Sequence, residues 1–164
     1  MMPAMKVQRV YLDTSVLGGC FDTEFAQWSN ALMRDFRVGR LRPVLSDVVA
    51  AELNSAPQAV QMLYAELLEL RAERVATTET ALDLADRYQR RGILTPKFYD
   101  DGLHIALATV TEVDVVVSWN FRHIVHLDKI RLFNSVNLEL GYKPLVIYSP
   151  REVARYDDTE TEDG

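Results

Sequence analysis

A three-layer α/β/α sandwich built on a parallel sheet is the fold this sequence predicts. Short apolar runs at residues 7–12, 43–46, 115–117 and 144–148 read as buried parallel strands. Between them lie stretches with apolar residues at helical spacing, and such alternation implies parallel pairing through right-handed crossovers. The 164 residues, 48% of them hydrophobic, suit one domain with a sizeable core, expected over residues 1–155.

Taken in order, the first strand ends at Leu12 and meets Asp13, Thr14 and Ser15; Gly18-Gly19 should break the chain just after. A helix follows over about 24–38, with Phe25, Trp28, Leu32 and Phe36 on one stripe and Gly39 as its stop. After the strand at 43–46, Ser46 or Asp47 caps a helix running to about 55. Pro57 opens the next, to about 71, whose face is Val60, Leu63, Tyr64, Leu67 and Leu68. A short strand is expected near 74–76, then a helix capped by Thr77 or Thr78 and ended by Gly92. Asp100-Asp101-Gly102 leads into a helix to about 112 that is apolar nearly all round, hence central. Beyond the strand at 115–117, residues 128–140 read as partly helical, 144–148 as the last strand, and Ser149-Pro150 as the start of a short helix.

The net charge is −6, part of it in the acidic segment 156–164, which is expected to be a flexible tail. A nucleic-acid partner would therefore need a local basic patch, metal ions or both. Cys20 is the only cysteine, which excludes an internal disulfide and a cysteine-based zinc motif. Neither a signal-peptide pattern nor an apolar run of membrane-spanning length is visible, so a cytoplasmic location and no membrane partner are expected.

Several acids stand where acids are costly. Asp13 sits at the end of the first strand, where open α/β sheets bind ligands, although it could also cap the next helix. Glu52 projects between Val48 and Val49, on the apolar face of its helix at about 100° per residue. It is there either as a site acid or as a salt-bridge partner of a buried arginine. Asp101 opens the most apolar helix, where a helix dipole favours it by about 0.3–1 kcal/mol; capping by Asp100 or Asp101 is the alternative. His104, one turn on, reads as a hydrogen-bonded core or rim histidine. Asn120 follows the strand at 115–117. In a parallel sheet Asp13, Glu52, Asp101 and Asn120 can reach one edge. Three carboxylates and an amide call for a hard cation, Mg²⁺ or Mn²⁺. On an α/β scaffold that combination points to phosphoryl transfer or phosphodiester hydrolysis.

These residues resemble the PIN-domain family, and within it the VapC-like toxins of bacterial toxin–antitoxin pairs. The resemblance rests on Leu12-Asp13-Thr14-Ser15, on Leu45-Ser46-Asp47 with Glu52 behind it, on Asp101-Gly102-Leu103-His104-Ile105-Ala106, and on Val117-Ser118-Trp119-Asn120-Phe121. It spans about residues 7–147. It implies a PIN-like sandwich, a divalent-metal site, cleavage of single-stranded or structured RNA, a cognate antitoxin and a possible homodimer. Carried over, Asp13, Glu52 and Asp101 match the three core acids and Thr14 or Ser15 the hydroxyl supporting the first. Asn120 falls near the place of the usual fourth aspartate, which implies weaker binding of a second metal and leaves a catalytically weak or inactive RNA- or protein-binding module as the alternative. Asn120 is expected to orient water or a phosphate oxygen. For the RNA backbone the candidates are Lys97, Arg122, His123, His126, Lys129 and Arg131, set against a merely solvated helix face. Trp119 and Phe121 are candidates for base stacking or for the core.

Other enzyme classes fit less well. Haloacid-dehalogenase-like phosphatases carry a second aspartate two residues after the first, where this chain has Ser15. Response-regulator receivers need an acid pair after the first strand, and Gly18-Gly19 lacks the rest of a dinucleotide-binding fingerprint.

Overall fold

The computed structural model describes residues 6–155, so the acidic segment 156–164 lies outside the described residues. Five parallel strands form one sheet in the order β3-β2-β1-β4-β5. They are β1 (Gln8–Leu12), β2 (Leu41–Ser46), β3 (Glu73–Val75), β4 (Val115–Val117) and β5 (Ile147–Tyr148). The helices are α1 (Thr14–Gly19), α2 (Ala26–Arg37), α3 (Asp47–Glu52), α4 (Gln58–Glu69), α5 (Glu79–Arg90), α6 (Tyr99–Val110), α7 (Leu127–Glu139) and α8 (Pro150–Val153).

Strand alternation splits the interior into two cores. Val10 and Leu12 of β1 pack with Val16, Leu17, Leu32 and Leu67 on the α1/α2/α4 side. Tyr11, between them, joins Leu84, Ile105 and Phe133 on the α5/α6/α7 side. Side chains of neighbouring strand residues leave opposite faces, so one apolar run supplies both layers. Each fully buried aliphatic residue contributes about 1.5–3 kcal/mol. At the amino-terminal edge of the sheet Arg9 acts as a tie. Its guanidinium forms a bidentate pair with Glu73 (2.7 and 2.8 Å) and donates to the Thr111 carbonyl at 2.9 Å.

The expected elements are all found, with local differences. Gly18 and Gly19 are the last two residues of α1, so the break falls just after them rather than at them. Strand β2 begins at Leu41, and Pro43 is tolerated within it because β3 pairs only with Val44–Ser46. Strand β5 is short because the Asn134 side chain takes both the N–H and the carbonyl of Leu145 (2.7 and 3.0 Å). Helix α7 is continuous from Leu127 to Glu139 rather than partial. Ser46, not Asp47, caps α3, accepting from the Val49 N–H at 3.3 Å. The Asp47 carboxylate instead accepts from the N–H and hydroxyl of Thr77 (2.9 and 2.6 Å).

Candidate active site

Strand order reverses between β1 and β4, since β2 and β3 lie on one side of β1 and β4 and β5 on the other. In such sheets a crevice opens beyond the carboxyl ends of the strands flanking the reversal. Asp13 directly follows β1 and Ser118 directly follows β4. Asp13 is the N-cap residue of α1 by backbone position, yet its side chain makes no capping bond. Its Oδ1 accepts from the Ser15 hydroxyl at 2.6 Å and its Oδ2 from the Ser118 hydroxyl at 2.9 Å. The Ser15 oxygen in turn accepts the Trp119 N–H at 2.9 Å. Asp13 is only 5% exposed. Burial pushes its carboxyl above the usual range; the charge of His104 and the two serine hydroxyls counter this in part, while Glu52 adds to it.

Glu52 ends α3 and meets His104 of α6. The Nε2 of His104 lies 2.6 Å from Glu52 Oε1, and its Nδ1 lies 2.7 Å from the Tyr11 hydroxyl, which donates to Ser46 Oγ at 2.8 Å. Against a carboxylate, Nε2 is the donor. The expected alternative partner for Glu52, a buried arginine, is replaced by a buried histidine. Glu52 itself is at the rim, with its side chain 38% exposed, because α3 stops there. Burial works to raise the Glu52 carboxyl, but the hydrogen bond and charge of His104 hold it below the ordinary value. Burial likewise opposes the charged form of His104, and the Glu52 hydrogen bond with the charges of Asp13, Glu52 and Asp101 outweighs it and raises the imidazole.

Asp101 lies in the first turn of α6, whose N-cap position is Phe98; neither Asp100 nor Asp101 provides a side-chain cap. Asp101 Oδ2 is 3.0 Å from His123 Nδ1. The His123 ring packs against Phe98 with centroids 4.0 Å apart. Asn120 Oδ1 accepts the His123 N–H at 2.9 Å, and the Asn120 N–H donates to Ser118 Oγ at 2.9 Å.

The remaining expected residues divide sharply. Of the two hydroxyls expected to support Asp13, Ser15 does so. The Thr14 hydroxyl is buried and has no hydrogen-bond partner among the described residues. Lys97 is exposed beside the Phe98 ring (5.7 Å), and Arg122 and Arg131 are exposed. Lys129 is not free, because its ammonium donates to the Ile93 carbonyl at 2.7 Å. Trp119 belongs to the core: it is stacked on Phe25 at 4.1 Å and donates to Ser29 Oγ at 2.8 Å. Phe121, 49% exposed, keeps a face accessible. Two contributors carried no assigned role in the sequence reading, Ser118 and Tyr11. Their only sequence signal is a polar atom placed one residue after, or one residue before, the end of an apolar strand.

The donor chemistry fits a hard divalent cation. The charges of three carboxylates, Asp13, Glu52 and Asp101, act on the buried His104 imidazole, an excess of negative charge even when it is protonated. Asp13 is held by neutral hydroxyls alone, and the orphaned Thr14 hydroxyl adds an uncommitted oxygen. In the present arrangement Glu52 and Asp101 each face an imidazole. Among the described residues no group of three His, Cys, Asp or Glu is gathered closely enough to hold a metal ion. Each of the two carboxylates meets its imidazole through one oxygen, and both side chains retain solvent exposure, 38% and 23%.

The fold is shared with a chain of a solved VapBC structure. A chain in the crystal structure of VapBC2 from Rickettsia felis, bound to a DNA fragment from their promoter, superposes with a TM-score of 0.54 at 14% identity. The match covers 86% of this chain and 98% of that one. VapC20 of Mycobacterium tuberculosis, a sarcin–ricin loop cleaving toxin, gives a TM-score of 0.49 at 13% identity over 84% and 98% of the two chains. No protein-family model matches the sequence, and no curated protein matches it significantly. No helix among the described residues is long and apolar enough to cross a membrane.

Proposed function

We propose that this protein is a Mg²⁺- or Mn²⁺-dependent endoribonuclease acting on single-stranded or structured RNA, the toxin of a toxin–antitoxin pair. The observation that carries the reading is Asp13: a buried carboxylate at the sheet's switch point, gripped by two serine hydroxyls, with Glu52 and Asp101 close enough to share the field of His104. Asp13, Glu52 and Asp101 would hold the cation, which when bound supplies an activated water at neutral pH and neutralises the phosphate.

The chain's own residues then have separable tasks. Ser15 and Ser118 fix both oxygens of Asp13. His104 holds Glu52 at the rim. Lys97, Arg122 and Arg131 bind the RNA backbone, while Phe121 offers a stacking face. The Nδ2 of Asn120, without a hydrogen-bond partner among the described residues, donates to a phosphate oxygen. A small cognate antitoxin is the expected protein partner, as the VapBC2 assembly suggests by analogy.

The second reading, a PIN-like module that binds RNA or protein without cutting it, is favoured by one observation. Asn120 brings no charge where a fourth acid would complete the site. Calorimetry with Mn²⁺ and a cleavage assay on single-stranded RNA separate the two. Millimolar binding, with cleavage lost in Asp13→Asn, supports the nuclease. Failure to bind any divalent ion refutes it.

A further inference from the structure

We infer that the loop after β4 is a bracket that sets the spacing of Asp13 and Asp101, with Asn120 as its central link. This rests on the cation-binding reading above. One chain of hydrogen bonds joins the two acids: Asp13 Oδ2 accepts from Ser118 Oγ (2.9 Å), and that oxygen accepts the Asn120 N–H (2.9 Å). Asn120 Oδ1 accepts the His123 N–H (2.9 Å), and His123 Nδ1 meets Asp101 Oδ2 (3.0 Å). Asn120 thus works in both directions, through its backbone toward Asp13 and through its side chain toward Asp101.

The bracket is anchored at both ends. On the Asp13 side Trp119 is locked by its stack on Phe25 and its bond to Ser29, and its N–H holds Ser15. On the Asp101 side the His123 ring lies against Phe98, the residue preceding α6. A side-chain oxygen accepting the N–H three residues on is a turn former that an aspartate, asparagine or serine can supply. The departure from the usual fourth acid therefore keeps the turn and gives up only the charge. Asn120 and His123 are positioning residues, since each acts on a site acid through a neighbour.

The test compares Mn²⁺ affinity, measured by calorimetry, in the unaltered 164-residue chain and four variants, with thermal melting in chelator to establish folding. Disturbing groups that orient metal ligands typically costs about 10–100-fold in affinity. Asn120→Ala and His123→Ala should each weaken binding by about tenfold or more, at the low end of that range. The double variant should be no worse than either, because each interrupts the same chain of hydrogen bonds. Asn120→Ser, which keeps an acceptor for the His123 N–H without adding charge, should recover most of the affinity. A folded Asn120→Ala with unchanged affinity, additive losses in the double variant, or an Asn120→Ser as weak as Asn120→Ala each overturns the bracket. If the unaltered protein binds no Mn²⁺, the cation reading itself fails and the bracket falls with it, a result distinct from unaltered binding in the variants.

Discussion

Gly19→Ala should destabilise the fold, while Gly18→Ala, one residue away in the same helix, should not. A Cβ at Gly19 would lie 2.6 Å from Ser29 Oγ, 2.6 Å from Trp119 Nε1 and 2.8 Å from Trp119 Cδ1. None of these atoms can yield cheaply. Ser29 is fully buried and accepts from the Trp119 indole, while its own hydroxyl donates to the Val16 carbonyl at 2.9 Å. Overpacking of this kind costs about 1–3 kcal/mol, and loss of the indole bond adds roughly 1 kcal/mol. Better helix propensity returns at most about 1 kcal/mol. The net loss of roughly 1–3 kcal/mol corresponds to a fall in Tm of about 2–12 °C for a domain of this size. At Gly18 nothing lies within 4 Å of the added atom, so the propensity gain stands alone and Tm should rise slightly. Thermal melts followed by far-UV dichroism, with near-UV dichroism reporting on the indole, read both. Equal melting temperatures for the two variants would refute the claim that Trp119 is locked against α1. Because the Trp119 N–H holds Ser15, Gly19→Ala should also weaken Mn²⁺ binding.

Other outcomes follow from the same geometry. Asp13→Asn should raise Tm in chelator, since burial lifts the Asp13 carboxyl and its ionised form costs stability as pH rises through that lifted value; an unchanged or lower Tm counts against it. The Glu52–His104 pair should stabilise only between two limits. His104, with its folded value raised, contributes fully below the unfolded value of 6.5, and the contribution fades as pH climbs through the folded one. Glu52, with its folded value lowered, contributes above 4.5 and loses its contribution as pH falls through the folded one. Urea titrations across this range should show the dependence flattened in His104→Gln. Tyr11→Phe leaves the acids untouched but removes the anchor of His104, so about 1 kcal/mol of stability should be lost, read by urea denaturation. Lys97→Ala and Arg122→Ala should each weaken RNA binding and lower its salt dependence. Lys129→Ala should leave RNA binding unchanged and cost stability, because that ammonium serves the Ile93 carbonyl.

Much of this protein is legible without coordinates. Apolar runs bounded by polar residues at 7–12, 43–46 and 115–117 suffice for buried parallel strands, because a strand covered on both faces has no room for alternation. An acid placed just after such a run, as Asp13 is after Leu12, already marks the crevice edge. Glu52 between Val48 and Val49 already marks an acid that needs a partner. What the one-dimensional pattern could not decide is which partner. Sequence spacing leaves Glu52 as either a site acid or the partner of a buried arginine; only the packing of α6 beside α3 brings His104 to it, at a separation of 52 residues. Capping was equally open for Asp13 and Asp101, because cap preference is local while the competing donors, Ser118 and His123, arrive from the β4–α7 loop. Lys129 and Trp119 are in sequence candidates for RNA contact or for a structural role, and the fold commits them to the Ile93 carbonyl and the core. Local periodicity is set by the chain's own neighbours and survives in the sequence. The commitment of a polar group is set by whichever donor or acceptor the tertiary fold brings near, and that was decided only when β1, β4 and α6 met at one edge.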